Sequence, residues 1–382
     1  MEGRGGGRSY IDPIFAHDAG PGRAPVGGRP RISPLWWLVG PPLVLLVVLI
    51  TYLLAAPTQY VVLVPGSARS VDPIVEVTAL PDGPEPRQEP EHDNLLFVTV
   101  SSRQPTGIEV LWRATQSSTD FVTLREHRGT LTHDQTRQFN LALMTTSKDK
   151  SAKVAMERAG YEVVAEPAGS VIVDFFPDFP VARHALPGDT IVAADGEPVA
   201  QNSDLVDVIG AHEPGDVINL TVQRLGEEEP RELVVELGAN PDDPEAPLLG
   251  VSLETRFEFE FPFSVEITSG DVGGPSAGVA FGLAILDQLT EGNLLGEEAM
   301  AVTGTLEIDG SVGRVGGVRQ KVEAALDEDA TLFIVPEGDY EIAVEAARGR
   351  LDVEGVATFD EVLEVLEARG GDPVPPPETQ EP

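Results

Sequence analysis

Gly273-Gly274-Pro275-Ser276-Ala277-Gly278 lies between two segments of different period. On its N-terminal side Phe263, Val265 and Ile267 alternate with polar neighbours, the two-residue repeat of a half-buried strand. On its C-terminal side Val279 to Leu289 is almost wholly apolar and predicts a buried helix, with Pro275 at the first helical position. The stretch therefore predicts a serine at the mouth of a helix, held by a glycine-rich turn. Two readings are open at this point. One is an ordinary capped turn. The other is a nucleophile whose developing negative charge faces backbone N–H groups and the positive helix end.

The 382 residues have room for two or three domains, and 41% hydrophobic content is enough to fill their cores. With 63 Asp and Glu against 26 Lys and Arg, the formal charge of -37 argues against a nucleic-acid partner. Cysteine is absent, which excludes disulfides, thiolate metal sites and cysteine catalysis. Only four lysines occur, Lys148, Lys150, Lys153 and Lys321, and all six histidines precede residue 213.

Residues 1–34 are Gly-, Pro- and Arg-rich without apolar period and predict a disordered tail. Residues 35–56 carry no charge and match one membrane crossing, which takes about 20 residues. Trp36, Trp37 and Tyr52 sit near its ends, as aromatic belts do, and Pro41-Pro42 falls near its entrance. The apolar stretch exceeds that of a cleaved signal peptide and its leader is long, so an uncleaved anchor is expected. The arginines of the tail place the N-terminus in the cytoplasm and everything after residue 57 outside it.

Residues 57–159 predict an extracytoplasmic N-terminal region: extended over 58–78, a linker over 79–92, a strand over 95–100, and a helix around 135–158. The cluster Lys148, Lys150 and Lys153 on that helix reads as a solvated face. From residue 168 strands dominate: 171–176, 190–194 closed by the Asp195-Gly196 hairpin turn, and the alternating runs Ile218-Leu220-Val222 and Leu233-Val235-Leu237. Ser203 is expected to cap a short helix between them. With Leu186-Pro-Gly-Asp189 and Ala194-Asp-Gly-Glu-Pro-Val199, residues 160–238 resemble the PDZ domain of bacterial envelope proteases. PDZ domains add an extended peptide to a sheet edge and hold its carboxylate on backbone N–H groups. Gly160-Tyr161-Glu162-Val163 is the positional candidate for that loop, although its glutamate would repel a carboxylate. Residues 239–247 predict a linker, 248–369 the last domain, and 370–382 a disordered tail.

The last domain contains no histidine, so a local Ser-His-Asp triad is excluded, and His184 or His212 could serve only by reaching across domains. A serine can instead use a lysine kept neutral by its surroundings. Lys321, 45 residues after Ser276, is the single candidate. It borders an apolar helical stripe of Val318, Val322, Ala325 and Leu326, and its neighbours three and four positions away, Gly317, Val318, Ala324 and Ala325, include no acid. Partial burial without a local carboxylate lowers a lysine pKa, as a general base requires. A snorkelling surface lysine is the competing reading.

Taken together, these segments resemble the proteolytic domain of the Lon protease family. The matching residues are Gly273 to Gly278, then Val302-Thr303-Gly304-Thr305 with Asp309-Gly310-Ser311-Val312-Gly313, then Val315 to Ala325, and Leu332-Phe333-Ile334-Val335-Pro336. The resemblance implies a Ser–Lys dyad of Ser276 and Lys321, with Thr303 orienting the lysine and Gly274 and the Ser276 amide as oxyanion neighbours. It also implies a homo-oligomer, often hexameric. The sequence departs from the family's best-known members in having Gly273 where many carry aspartate. It also holds no Gly-x-x-x-x-Gly-Lys-[Ser/Thr] phosphate loop, since none of its lysines follows a glycine. The anchor, PDZ and Lon-like order is similar to that of membrane-anchored PDZ-containing Lon-like proteins of Gram-positive bacteria. The expected architecture is α+β with one transmembrane helix. The expected function is ATP-independent serine endopeptidase activity on unfolded or flexible extracytoplasmic proteins, with the PDZ domain selecting or regulating substrates and no cofactor or metal. The alternative is a non-proteolytic envelope adaptor that binds peptides through its PDZ domain.

Overall fold

The computed structural model describes residues 34–81, 83–87, 93–115, 119–129 and 131–375. The tail expected over 1–34 lies outside them up to residue 33, as do residues 82 and 88–92 of the expected linker and 376–382 of the expected C-terminal tail.

Helix α1 (Pro34–Ala55) is one continuous helix of 22 residues, with Pro41 and Pro42 in its interior. Its Leu38–Ala55 portion is long and apolar enough to cross a membrane, by length and composition.

From Ala55 onward the described chain forms a second unit, mixed α+β. It begins with β1 (Tyr60–Ser70), β2 (Val75–Ala79), β3 (Leu95–Arg103), a short α2 (Gly107–Arg113), β4 (Asp120–Thr123) and α3 (Leu124–Arg128). The long α4 (His133–Arg158) starts at a capping box, in which Thr132 and Gln135 satisfy each other's backbone N–H. A β-rich segment follows: β5 (Val164–Phe175), β6 (Thr190–Ala194), β7 (Glu197–Pro198), α5 (Asn202–Gly210), β8 (Val217–Gln223), β9 (Arg231–Glu236), β10 (Gly238–Ala239), β11 (Pro247–Leu248) and β12 (Val251–Glu260). The chain closes with β13 (Phe263–Ile267), α6 (Gly278–Leu289), β14 (Met300–Val302), β15 (Thr305–Leu306), β16 (Val312–Gly313), α7 (Val318–Asp327), β17 (Leu332–Pro336), α8 (Tyr340–Ala347), β18 (Asp352–Val356) and α9 (Phe359–Ala368).

One six-stranded sheet runs β18-β17-β14-β3-β1-β4, so it joins strands from both sides of the β-rich segment. The pairs β18–β17, β17–β14 and β14–β3 are parallel, and the β1 pairs are antiparallel. Side chains alternate across it, as the strand period demands. Leu95, Phe97, Met300, Val302, Leu332 and Ile334 face the core built with α4 and α6. Leu96, Val98, Ala301, Phe333 and Val335 face the core built with α7 and α8. The result is three layers, helix on sheet on helix. Helix α6 is buried all round, which is why its sequence shows no polar face.

The second large sheet runs β12-β5-β6-β8-β9 around its own core, with Ile172, Ile191, Leu205, Ile218, Leu220 and Val235 fully enclosed. Asp195 and Gly196, both at positive φ, make the expected two-residue hairpin turn between β6 and β7. Two boundaries differ from expectation. Residues 251–260, expected in the last domain, form β12 and pair with β5 along its length, because their alternation matches that sheet edge. Helix α5 is capped by Gln201 with Asp204, whose carboxylate accepts from the Ala200 and Gln201 N–H groups, and not by Ser203.

Candidate active site

Helix α6 starts at Gly278 with Ala277 as its N-cap, so Pro275 stands in the turn before the helix rather than at its first position. The Pro275 carbonyl accepts from Gly278 N–H, closing a turn around Ser276. Gly274 holds φ at +91°, a left-handed conformation that glycine adopts freely. At Gly273 a side chain is excluded by space: its Cβ would lie 2.9 Å from Asn140 Cβ on α4. That approach gives a physical reason for glycine where many relatives of this motif carry aspartate. Asp271, two positions earlier, pairs with Arg137 at the surface.

Ser276 is fixed through its carbonyl, which accepts from Thr303 Oγ1 at 3.0 Å and from Gly304 N–H at 3.0 Å. Thr303 follows β14, so the turn is anchored at the carboxyl end of a parallel strand, where open α/β sheets place their ligands. Lys321 reaches the same threonine from the opposite layer, its Nζ donating to Thr303 Oγ1 at 2.9 Å. Lys321 is 3% exposed. Burial pulls its pKa down to about 7, with the Asp339 carboxylate opposing part of that shift. Asp339 is itself held away by Arg314 Nε at 2.8 Å and the Val315 N–H at 2.9 Å. Ser276 and Lys321 line one cavity of about 410 Å³, walled by Phe97, Val98, Met144, Val272 and Ala277.

Residues 263–368 match the family model of the Lon protease (S16) C-terminal proteolytic domain, and residues 154–237 match that of the PDZ domain. The chain carries a Lon-type proteolytic domain and a PDZ domain. An archaeal Lon protease of Methanocaldococcus jannaschii is 26% identical over 249 residues, 59% of this chain and 37% of that protein. Another from Thermoplasma volcanium is 35% identical over 96 residues, 25% of this chain and 14% of its own. A probable periplasmic serine endoprotease, DegP-like, of Pseudomonas fulva is 30% identical over 104 residues, 27% of this chain and 20% of its own. The chain thus spans only a minor part of the length of each of these relatives.

Helix α4, whose last turn enters the PDZ match, grips the Gly274–Gly278 turn of the Lon-type domain. Asn140 C=O accepts from Gly274 N–H at 2.8 Å. Ser147 Oγ donates to Pro275 C=O at 3.0 Å, and Ser151 Oγ to Gly278 C=O at 2.8 Å. Gly274 therefore positions the turn, and its N–H is not directed at an oxyanion. Among the described residues the Ser276 N–H has no hydrogen-bond partner. Sequence reasoning missed Asn140, Ser147 and Ser151, small polar residues in a helix where polar and apolar residues mix without a clear face.

The three lysines of α4 do not form a solvated face. Lys148 Nζ donates to Ile267 C=O and Lys153 Nζ to Ile308 C=O, at 2.6 and 2.7 Å. Lys150 is 7% exposed and pairs with Glu254 of β12 and Glu307 of the segment after β15. Packing of α4 against α6 turns these side chains toward the carbonyls and carboxylates of its neighbours.

Gly160-Tyr161-Glu162-Val163 is likewise displaced from its expected role. Gly160 N–H and Tyr161 N–H donate to Glu157 C=O and Met156 C=O, the two bonds of a Schellman cap closing α4. Tyr161 then packs edge-on to Phe263 of β13, with ring centroids 4.9 Å apart. The PDZ sheet ends in β9 on one side and β12 on the other; β12 follows Leu248-Leu249-Gly250 and is tied to α5 through Asn202, which donates to Leu253 C=O and Thr255 Oγ1.

Proposed function

We propose that this chain is a membrane-anchored serine endopeptidase that works without ATP, using Ser276 as nucleophile and Lys321 as general base. One observation carries the reading. The only lysine after residue 153 is buried, has a pKa of about 7, is oriented by Thr303 and opens into the same cavity as Ser276.

The neutral Lys321 amine takes the Ser276 Oγ proton as the oxygen attacks the peptide carbonyl carbon. Negative charge passes to the carbonyl oxygen, where the Ser276 N–H and the positive end of α6 stabilise it. The ammonium then gives its proton to the leaving amine, and the C–N bond breaks. A water molecule, deprotonated by the same lysine, hydrolyses the acyl-serine ester. Thr303 accepts from Nζ throughout, which fixes the direction of the amine.

The substrate is an extended chain. Strand β14 pairs with β3 only over residues 95–97 of β3, and among the described residues no strand pairs with that edge along Val98–Ser101, which lines the cavity. A substrate strand adding there would lay its carbonyl across Ser276. The PDZ domain selects or regulates substrates by taking peptides at the β12 edge. Helix α1 holds the protein in the membrane with residues 1–34 cytoplasmic and the catalytic unit outside.

Purified full-length protein should cleave casein or a native envelope substrate, and Ser276→Ala and Lys321→Ala should each abolish cleavage. Full activity in either variant would remove the dyad. For topology, protease added to intact protoplasts should digest the chain beyond residue 57 and spare the N-terminal tail; the reverse pattern would overturn it.

A further inference from the structure

Helix α2 turns its apolar face to solvent. Ile108, Leu111 and Trp112 follow the three- and four-residue spacing of one helical face, and they are 42%, 63% and 60% exposed. No residue of α2 is buried. A contiguous apolar stripe that faces away from the core marks a surface that meets something other than water.

The base of α2 says what that is. Pro57 bridges Thr106, the N-cap of α2. Thr58 donates to Pro105 C=O from both its N–H and its hydroxyl, at 3.2 and 2.9 Å, and the Gln104 side-chain amide donates back to Thr58 C=O. Pro57 is two residues after Ala55, the last residue of the apolar helix α1. Two peptide units span at most about 7–8 Å, so the covalent chain ties the root of α2 to the end of the span. The chemistry fits a lipid headgroup region. Trp112 carries the Arg113 guanidinium over its ring at 5.3 Å, pairing the two side chains that favour membrane interfaces. Tyr60 is also exposed. Residues 103–128 hold Arg103, Arg113, Arg125 and Arg128 against Glu109, Asp120 and Glu126, in a chain whose formal charge is -37. The local loss of acidic excess removes repulsion from anionic lipids.

We propose that α2 docks on the bilayer surface through Ile108, Leu111 and Trp112, a second membrane contact beside the anchor. This rests on the reading of α1 as a membrane anchor. Strand β3 ends four residues before α2, so docking would hold its open edge at Val98–Ser101, and with it the catalytic cavity, at a set height beside the membrane.

The test uses the full chain with Trp36→Phe and Trp37→Phe, which leaves Trp112 as the single tryptophan. The protein is reconstituted into phosphatidylcholine–phosphatidylglycerol vesicles with or without acyl-brominated phosphatidylcholine, and flotation after an alkaline wash reports the anchor separately. Docking at a depth of about 5–10 Å predicts blue-shifted Trp112 emission that bromolipid quenches about twofold or more. Leu111→Asp should reverse both effects while leaving casein cleavage by detergent-solubilised protein unchanged. Water-like, unquenched emission in vesicles that still float overturns docking and leaves the anchor standing. Release by the alkaline wash overturns the anchor and docking with it. Blue-shifted emission that ignores bromolipid and fades on dilution in detergent gives the face to a second copy of the chain and overturns the proposal.

Discussion

Two lysines in this protein are almost equally buried and end in opposite states. Lys321 and Lys150 are 3% and 7% exposed. At Lys321 burial dominates, its one charged neighbour Asp339 is already engaged by Arg314 and Val315, and the pKa falls to about 7. At Lys150 burial pulls in the same direction, but hydrogen bonds and charge from Glu254 and Glu307 outweigh it and the pKa rises. Removal from water makes a lysine neutral only where no carboxylate replaces the water. On the proposed mechanism the first lysine exchanges a proton; the second holds the PDZ strand β12 and the segment after β15 against α4.

The largest expected effect is on catalysis. Ser276→Ala and Lys321→Met should each lower kcat/KM by about 10³-fold or more, read with a fluorogenic peptide. Lys150→Met should retain the pH dependence of the remaining activity, since its ammonium takes no part in proton transfer. Stability should split the pair by sign. Lys321→Met removes a buried amine that resists burial, and should raise Tm at pH 7 by about 3–6 °C. Lys150→Met strips the partner from two half-exposed carboxylates, and should cost about 1–3 kcal/mol in urea unfolding.

The pH dependence follows from the same contrast. Between about 7 and the usual lysine value near 10.4, the unfolded chain holds a proton at residue 321 that the folded chain does not. Stability from this site therefore rises with pH across that window and is lowest below pH 7. Activity should rise with pH through the ionisation near 7, as the amine becomes free to accept the Ser276 proton. Thr303→Val, which leaves Nζ without its hydroxyl partner, should lower kcat about 10–100-fold with little change in KM. Ser147→Ala is the mildest probe. It removes one bond to the Pro275 carbonyl and should cost about 1 kcal/mol of stability, with a several-fold loss of kcat.

The sequence is most legible where a reading depends on residue type at fixed spacing. Ser276, Thr303 and Lys321 stand out because no histidine follows residue 212 and no cysteine occurs in the chain. They converge because they sit just before α6, just after β14 and in the first turn of α7. The α4 grip was not legible. Asn140, Ser147 and Ser151 act from more than 120 residues upstream, and period alone says nothing of which helix faces which turn. The lysine cluster misled for the same reason, since a charge run reads as solvated until its partners are known. Gly160–Val163 looked like a ligand loop because a glycine before an apolar strand serves a helix cap equally well. Alternation over residues 251–260 identifies a strand and not the sheet it joins, which is that of β5.

The most direct test of the account is the titration of the four lysines, followed by NMR with [13Cε]lysine in full-length protein. The account predicts one resonance that titrates near pH 7 and vanishes in Lys321→Met, and another, lost in Lys150→Met, that stays charged beyond the ordinary lysine range. A Lys321 resonance that remains charged up to about pH 10 would contradict it, because Ser276 would then have no base.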